Sequence, residues 1–246
     1  MLYVANWKME MPFAKALAFC KNNYDAILEL SKSDDKKIVF CPSFTEAQEL
    51  CGIFKNSEVA IGAQDCSSKK IGPYTGQVAA ESLHQIGCSY CIVGHSEQRD
   101  YCKQSDEQIG QKVVQLIEVA IEPIVCIGEK KMDYDAGIAE NIIKTQLEAV
   151  FEEIEGHSID GLSIAYEPVW SIGTGITPQN SYIEEVFDIV ENIAANYEKN
   201  AQINLLYGGS VNEANIKNLL TIRNIGGFLI GGASLDFKKF EKIVQL

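Results

Sequence analysis

The sequence predicts a (β/α)8 barrel, in which an outer ring of helices encloses eight parallel strands. Eight short apolar segments recur along the 246 residues, and longer segments with helical periodicity separate them. Short segments rich in β-branched residues are typical of buried parallel strands. The composition does not change along the chain, and 46% hydrophobic residues suffice for a large core. We therefore expect one domain over residues 1–246, with a doubly wound open sheet as the alternative.

The predicted strands are 2–6, 37–41, 59–63, 89–94, 123–128, 162–167, 203–208 and 227–231. Three of the helices between them have clear signals. The first is expected from Pro12, which suits a first turn, to Leu30. The second follows Ser105, which begins a capping box, and the third follows Thr177 as cap with Pro178 at the first helical position. Their buried stripes are expected at Ile109, Val113, Leu116, Ile117 and Ala120, and at Ile183, Val186, Val190, Ile193 and Ala194.

Alternation along two strands indicates which side chains reach the mouth of the barrel. Residues two apart on a strand share a face, so Asn6 and Lys8 point the same way. In the sixth strand Ser163, Ala165 and Glu167 share a face, and small residues suit a crowded barrel axis. We expect Glu167 to point inward at the carboxyl end of its strand, where barrel enzymes carry their active sites.

The net charge of -13 argues against nucleic acid binding, which needs clustered Lys and Arg. It does not exclude a phosphorylated ligand, because screening over about 8 Å lets a few nearby positive groups dominate. No charged leader precedes a long apolar stretch, and no apolar run approaches about 20 residues. We therefore expect a soluble, cytoplasmic protein that does not contact a membrane.

Eight cysteines, from Cys20 to Cys126, are expected to be reduced core residues. Cys88 and Cys91 have Cys-x-x-Cys spacing within a predicted strand. Residues three apart on a strand face opposite sides, so we do not expect a metal there. Cys126 lies near the predicted mouth and is a candidate for a reactive thiol.

A carboxylate, a proline and two glycines lie in the segment YEPVWSIGTG, residues 166–175. Pro168 stiffens the backbone beyond Glu167, while Gly173 and Gly175 allow dihedral angles that other residues avoid. The pattern suits a base beneath a mobile lid. A solvated carboxylate at a strand end explains Glu167 equally well when that residue is taken alone.

His95 and Lys8 are the other candidates for chemistry. His95 ends a predicted strand in IVGHSE and is better placed than His84 or His157. A lone histidine is more often structural, and a lone lysine is more often a surface charge. Lys8 nevertheless follows a strand and shares a face with Asn6, so both can point into one mouth.

Glycine pairs follow each of the last two strands, in YGGS (207–210) and GGAS (231–234). Their free amides can bind an anion, and a short helix expected near Ala233 would direct its positive end toward it. Barrels commonly bind phosphate after strands seven and eight. Tight turns also use glycine pairs, so the occurrence of two pairs carries more weight than either alone.

Over essentially its whole length the sequence resembles the triosephosphate isomerase family. The motifs ANWKM, VGHSE, AYEPVWSIGTG, LLYGGSV and FLIGGASL stand in family order and near family spacing. The resemblance implies a TIM barrel that interconverts dihydroxyacetone phosphate and D-glyceraldehyde 3-phosphate, in glycolysis and gluconeogenesis, without cofactor or metal. It implies that Glu167 transfers the proton, that neutral His95 donates to the enediolate, and that Lys8 adds positive charge near the carbonyl oxygen.

The same resemblance implies supporting roles. Asn6 shapes the pocket, Glu97 supports Lys8, and Tyr207 bonds the hinge of the closed lid, residues 168–178. The phosphate is expected on the backbone at Gly173, Ser210, Gly231 and Gly232. The family usually has about two more residues than GTGITP provides between the glycines and the next helix. We therefore expect a working lid with altered opening kinetics.

The resemblance also implies a homodimer through the loop at 65–79, with Thr75 at its tip. Gln77 and Gln98 stand where glutamate and arginine are common in the family. Loss of an acid and a base together leaves the contact neutral, so we still expect a homodimer.

Two other functions are weighed against this one. Another phosphate-binding barrel enzyme, such as an indole-glycerol-phosphate-type synthase, would need different acids at the strand ends and has no use for the GHSE placement. A non-catalytic barrel used for binding could lose Lys8, His95 or Glu167 without penalty, and all three are present.

Overall fold

Eight parallel strands pair in chain order and close into a barrel in the computed structural model, which describes residues 1–33, 35–197 and 203–246. The first strand pairs with the second and also with the eighth. This closure confirms the barrel prediction and excludes the open sheet. The strands are β1 (Leu2–Asn6), β2 (Lys37–Cys41), β3 (Ala60–Ala63), β4 (Tyr90–Val93), β5 (Glu122–Ile127), β6 (Leu162–Tyr166), β7 (Ile203–Tyr207) and β8 (Gly227–Ile230).

Helices surround the barrel. They are α1 (Phe13–Asn22), α2 (Tyr24–Ser31), α3 (Phe44–Phe54), α4 (Ala80–Ile86), α5 (Ser96–Tyr101), α6 (Asp106–Ile117), α7 (Lys131–Asp135), α8 (Ala139–Ile154), α9 (Asn180–Tyr197), α10 (Ile216–Leu219) and α11 (Phe237–Val244). Two short 3-10 turns, Val169–Ser171 and Gly232–Leu235, follow β6 and β8. Among the described residues, no helix is long and apolar enough to cross a membrane.

Apolar side chains form one layer inside the barrel and another between the strands and the helices. Val4 and Ala165 belong to the inner layer, while Trp7 and Tyr166 belong to the outer one. This arrangement confirms the alternation predicted for β1 and β6. The inner layer consists of Leu2, Val4, Val39, Cys41, Ala60, Ile92, Ile124, Cys126, Ala165, Leu206 and Leu229.

The helix expected from Pro12 to Leu30 is wrong, because the chain forms α1 and α2 with a break at Asn23. Asn23 has φ -115° and ψ 13°, which leaves the helical conformation. Its side-chain amide donates a hydrogen bond of 2.8 Å to the Phe19 carbonyl. A side chain thereby satisfies a carbonyl at the end of α1, and local competition of this kind is typical of asparagine.

The capping box at Ser105 is confirmed by reciprocal hydrogen bonds with Gln108 of 3.1 and 3.2 Å. Ala120, expected in the buried stripe of α6, is instead exposed with φ 57°. The helix ends at Ile117, and a bond of 3.0 Å from the Ile121 amide to the Leu116 carbonyl closes a left-handed turn. The turn is needed because β5 begins at residue 122.

Thr177 and Pro178 do not begin α9, which starts two residues later at Asn180. The Thr177 hydroxyl instead accepts a hydrogen bond of 3.1 Å from the Asn215 side chain. Thr177 therefore connects the end of the predicted lid to the segment after β7. The buried stripe of α9 is confirmed at Ile183, Val186, Val190, Ile193 and Ala194.

All eight cysteines are free thiols. Most are buried as expected, but Cys102 is exposed and Cys51 is half-buried. Cys88 precedes β4 rather than lying within it. In the part of the chain that the structure describes, no three potential ligands cluster as a metal site would require.

Candidate active site

A cavity of about 390 Å³ opens at the carboxyl ends of the strands. Eight residues expected to react with or bind the substrate line it: Asn6, Lys8, His95, Glu167, Gly173, Ser210, Gly231 and Gly232. A larger cavity of about 450 Å³ lies at the amino ends, against Lys37 and Glu122, and is lined by none of these eight. Size alone therefore does not locate the site, whereas the clustering of reactive groups does.

Lys8 turns into the cavity because its backbone adopts φ 49°. Its amide donates to the Asn6 side-chain oxygen at 3.1 Å, and the Gln64 side chain donates to its carbonyl at 2.7 Å. These contacts stabilise a conformation that is uncommon for a residue other than glycine. The Lys8 ammonium then meets the Glu97 carboxylate at 2.7 Å, so Glu97 fixes the position of the charge.

Glu167 follows β6, and its carboxylate is held at both oxygens. Oε2 accepts the Ser96 amide at 3.1 Å, and Oε1 lies 3.0 Å from Nε2 of His95. Only 2% of Glu167 is exposed to solvent. The close approach of Gly128 to the Glu167 carbonyl leaves no room for a Cβ at residue 128, so a glycine there allows β5 and β6 to end side by side.

His95 has one ring nitrogen fixed as an acceptor. The Glu97 amide donates to Nδ1 at 3.2 Å, and His95 thereby caps α5. A backbone amide can only donate, so the proton of the neutral ring lies on Nε2, which faces Glu167. His95 is 5% exposed, so its single N–H is directed within a largely dry site.

Burial and neighbouring groups act in opposite directions on this pair. Burial raises the pKa of the Glu167 carboxyl, but the His95 imidazole and the Ser96 amide together lower it by more. The pKa of Glu167 therefore lies below its usual value. Burial lowers the pKa of His95, and the Glu167 carboxylate raises it by more while the two groups touch. The Glu97 amide on Nδ1 opposes protonation, because a second N–H there would face a donor.

Another part of the cavity lining is rich in glycine. Gly173, Ser210, Gly231 and Gly232 lie there, and a Cβ at residue 232 would meet no atom within 4 Å. The short helix expected near Ala233 is the 3-10 turn that begins at residue 232. Glycine backbone with open space beside it can approach an anion closely.

Lys239 on α11 also lines the cavity, and sequence reasoning missed it. Its position in an amphipathic helix gives no sign that it reaches the mouth.

The segment predicted as a lid leaves β6 through the 3-10 turn. Trp170 donates its indole N–H to the Glu129 carboxylate at 2.8 Å. Glu129 is fully buried and also accepts hydroxyl hydrogen bonds from Tyr166 at 3.1 Å and Tyr182 at 3.3 Å. Glu129 therefore anchors the start of the predicted lid, and its sequence context, just after β5, gave no signal for this contact.

Tyr207 lies beneath the same segment and does not line the cavity. Its hydroxyl and that of Ser171 are buried close together, near the position that a Cβ on Gly209 would occupy. Neither hydroxyl makes a well-aligned hydrogen bond within the described residues. Burial raises the pKa of Tyr207 to about 12, so the hydroxyl keeps its proton as a potential donor to a moving lid.

A family model described as triosephosphate isomerase matches residues 1–246. The triosephosphate isomerase of Aquifex aeolicus is 38% identical over 99% of this chain and 98% of its own length. The triosephosphate isomerase of Dictyoglomus thermophilum is 36% identical over 99% of this chain and 98% of its own length. That of Wolbachia sp. subsp. Brugia malayi is 38% identical over 99% of this chain and 96% of its own length. The chain therefore belongs to the triosephosphate isomerase family.

Proposed function

We propose that this chain interconverts dihydroxyacetone phosphate and D-glyceraldehyde 3-phosphate by proton transfer through an enediolate. The proposal depends above all on one observation. A buried carboxylate, Glu167, lies 3.0 Å from the Nε2 atom of His95, in a cavity that is also lined by Lys8 and by the glycine-rich segments after β7 and β8. A base, two donors and an anion site are what this isomerisation requires.

Glu167 is the base in this proposal. It leaves the Ser96 amide, takes a proton from the carbon beside the substrate carbonyl and returns it to the neighbouring carbon. Its low pKa keeps it ionised in the free enzyme at neutral pH. A well-positioned base contributes about 10²- to 10⁴-fold to the rate.

His95 and Lys8 meet the negative charge that develops on the two oxygens. Once Glu167 moves onto the substrate, its carboxylate no longer raises the pKa of His95, and burial together with the Glu97 amide favours the neutral ring. Nε2–H then donates to the enediolate, and Lys8 stabilises the carbonyl oxygen from the other side. One such preset donor is worth roughly 3 kcal/mol in the transition state.

The substrate phosphate is bound by backbone amides at Gly173, Ser210, Gly231 and Gly232. Closure of residues 168–178 then excludes water, which prevents loss of phosphate from the enediolate. Transfer of a proton between two carbons needs no redox cofactor, and the proposed mechanism uses only side chains and backbone amides of this chain, without cofactor or metal.

We also propose a homodimer formed through the loop at 65–79. Residues 69–77 are all exposed, and they include two large apolar side chains, Ile71 (80% exposed) and Tyr74 (45% exposed). A partner would cover them. Sedimentation at micromolar concentration should give a dimer, and a single monomer species would contradict this part of the proposal.

Gln77 and Gln98, which stand where charged residues are common in the family, are compatible with an uncharged dimer contact. The Gln98 side chain accepts a hydrogen bond of 3.0 Å from Gln104, which also bonds Asp65 at 2.8 Å, so Gln98 is engaged within its own chain. Free thiols at all eight cysteines favour a reducing, cytoplasmic location. One barrel domain over residues 1–246 completes the proposal.

A coupled assay tests the reaction directly. Glyceraldehyde 3-phosphate is supplied, and dihydroxyacetone phosphate is reduced by an NADH-dependent dehydrogenase. We expect turnover within the range of efficient enzymes. Absence of turnover, with inorganic phosphate still bound in the cavity, would favour the non-catalytic barrel.

A further inference from the structure

Cys51 and Cys88 form a thiol pair at the end of the barrel opposite the candidate active site. Cys51 lies in the last turn of α3, and Cys88 lies two residues before β4. The Cys51 side chain lies next to Gly87, the residue before Cys88, and each of the two thiols shifts the pKa of the other. The cavity beside them is bordered by Lys37 and Ala60, the first residues of β2 and β3. The pair is therefore at the amino ends of the strands.

The turn after α4 holds the two residues together. Gly87 has φ 101°, and bonds of 2.9 and 3.0 Å connect Gly87 and Cys88 back to the last turn of α4. A Cβ on Gly87 would lie 3.4 Å from Cys51 Cβ and 3.7 Å from its sulfur. The backbone beside Cys88 thus passes close to the Cys51 side chain, with room for little more than one carbon atom between them, and a helix and a left-handed turn fix the two partners.

The two thiols differ in access to solvent. Cys51 is half-buried and lines an open cavity of about 530 Å³, whereas Cys88 is buried. The hydrogen bond from Cys88 lowers the pKa of Cys51 despite burial, while that contact and burial raise the pKa of Cys88. A partly exposed thiol with a lowered pKa, next to a second thiol, is the arrangement of oxidisable cysteines.

Cys66 and Cys91 are also in contact, but both are buried. An oxidant therefore reaches the first pair more readily than the second.

We propose that Cys51 and Cys88 are a reversible oxidation site, at which a peroxide converts the two thiols into an intramolecular disulfide. The Cys51 thiolate attacks a peroxide oxygen, the O–O bond breaks, and Cys51 becomes a sulfenic acid as hydroxide leaves. The Cys88 sulfur then attacks the Cys51 sulfur, the S–O bond breaks, and its hydroxide takes the Cys88 proton to form water. The peroxide accepts the two electrons that the sulfurs lose.

The disulfide would close a loop from residue 51 to residue 88. That loop contains β3, the segment 65–79 and α4. Linking its ends restricts the unfolded chain, so we expect oxidation to raise the melting temperature by roughly 5–10 °C. The candidate active site is at the other end of the strands, so kcat/KM should change by less than about twofold on oxidation.

The test uses the full chain carrying Cys102→Ser, which removes the exposed thiol. The protein is treated with hydrogen peroxide and alkylated with N-ethylmaleimide. Trypsin then releases peptides 38–55 and 71–99, which contain Cys51 and Cys88. Fragment sequencing is needed because the peptides also carry Cys41 and Cys91. We expect a Cys51–Cys88 link that dithiothreitol reverses, together with the higher melting temperature.

Two further variants test whether Cys88 is the thiol that reacts with oxidised Cys51. Cys88→Ser should leave Cys51 as a sulfenic acid that dimedone traps, whereas Cys66→Ser, a matched change in the buried pair, should leave the link intact. The proposal is overturned if Cys51 stays alkylatable after peroxide, if the link joins other sulfurs, or if dithiothreitol does not reverse it. The Cys102→Ser protein alone decides this, so the outcome does not depend on whether a core variant folds.

Discussion

The Nε2 atom of His95 lies 3.0 Å from Oε1 of Glu167, and both side chains are almost completely buried. The same carboxylate accepts the Ser96 amide through its other oxygen. In the proposed mechanism the Glu167 carboxylate is therefore hydrogen-bonded to His95 and Ser96 in the free enzyme. It breaks these hydrogen bonds when it takes a proton from the substrate. The donor on His95 is exposed to the substrate in the same movement.

Two substitutions at Glu167 test its role as the base. Glu167→Gln should lower kcat by at least about 10²-fold, because the amide cannot accept the proton. Glu167→Asp withdraws the carboxylate by about 1 Å and should also cost on the order of 10²-fold. The Gln oxygen can still accept the Ser96 amide, but its NH2 group then faces the Nε2–H of His95, so the melting temperature of Glu167→Gln should fall slightly. Coupled-assay kinetics and thermal unfolding measure both effects, and unchanged rates would remove Glu167 from the mechanism.

At His95 the capping role can be separated from the donor role. His95→Asn can still accept the Glu97 amide, because asparagine is a favoured N-cap, whereas His95→Ala cannot. Both lose the Nε2 donor, so both should lower kcat by about 10²- to 10³-fold. His95→Ala should also lose about 1 kcal/mol of unfolding free energy. An Asn variant with near wild-type kcat would contradict the donor role, and equal stabilities would contradict the capping role.

Much of this site could be predicted because period-two alternation is a local property of a strand. Alternation placed Glu167 on the inner face of β6, and strand order placed His95 and Lys8 at the same end of the barrel. The glycine pairs after β7 and β8 were informative for the same reason, since their positions depend only on where strands end.

Other features depend on contacts between distant segments. The left-handed conformation of Lys8 is stabilised by Gln64, which is 56 residues away. The contact of Glu129 with the predicted lid is evident only from the hydrogen bonds that Trp170 and Tyr182 donate to it. Thr177 looked like a helix cap, but its hydroxyl accepts a hydrogen bond from Asn215, so a tertiary contact replaced the local one. No periodicity or propensity carries such information.

Glu129 should make stability depend on pH. Burial raises the pKa of its carboxyl above the ordinary 4.5, although three donors contact one of its oxygens. Its other oxygen is buried without a partner among the described residues. The folded chain then keeps a proton that the unfolded chain has lost, so unfolding free energy falls as pH rises from about 4.5 through the folded pKa.

Glu129→Gln does not titrate, and its oxygen can still accept from Trp170. Its stability relative to the wild type should therefore increase as pH rises from about 4 to about 7. Urea unfolding at a series of pH values measures this difference, and groups such as Glu122 cancel because they titrate in both proteins. A difference that stays constant over this range would mean that Glu129 is not held protonated.

Tyr207 should affect the lid without stabilising the structure described here. Its hydroxyl is buried but makes no well-aligned hydrogen bond, so Tyr207→Phe should leave the unfolding free energy nearly unchanged. If the hydroxyl gains a hydrogen-bond partner when residues 168–178 close, Tyr207→Phe should destabilise the closed state by about 1 kcal/mol. Its kcat/KM should then fall by up to about tenfold.

Solvent viscosity then distinguishes an effect on the lid from an effect on chemistry. A lid that limits turnover slows as viscosity rises, and Tyr207→Phe should weaken that dependence, because a less stable closed state opens faster. The short far hinge, GTGITP, should make the wild-type dependence differ from that of a relative with two more hinge residues. Identical viscosity profiles for that relative and this chain would show that hinge length does not set the opening rate. An unchanged profile in Tyr207→Phe would instead show that the hydroxyl plays no part in closure.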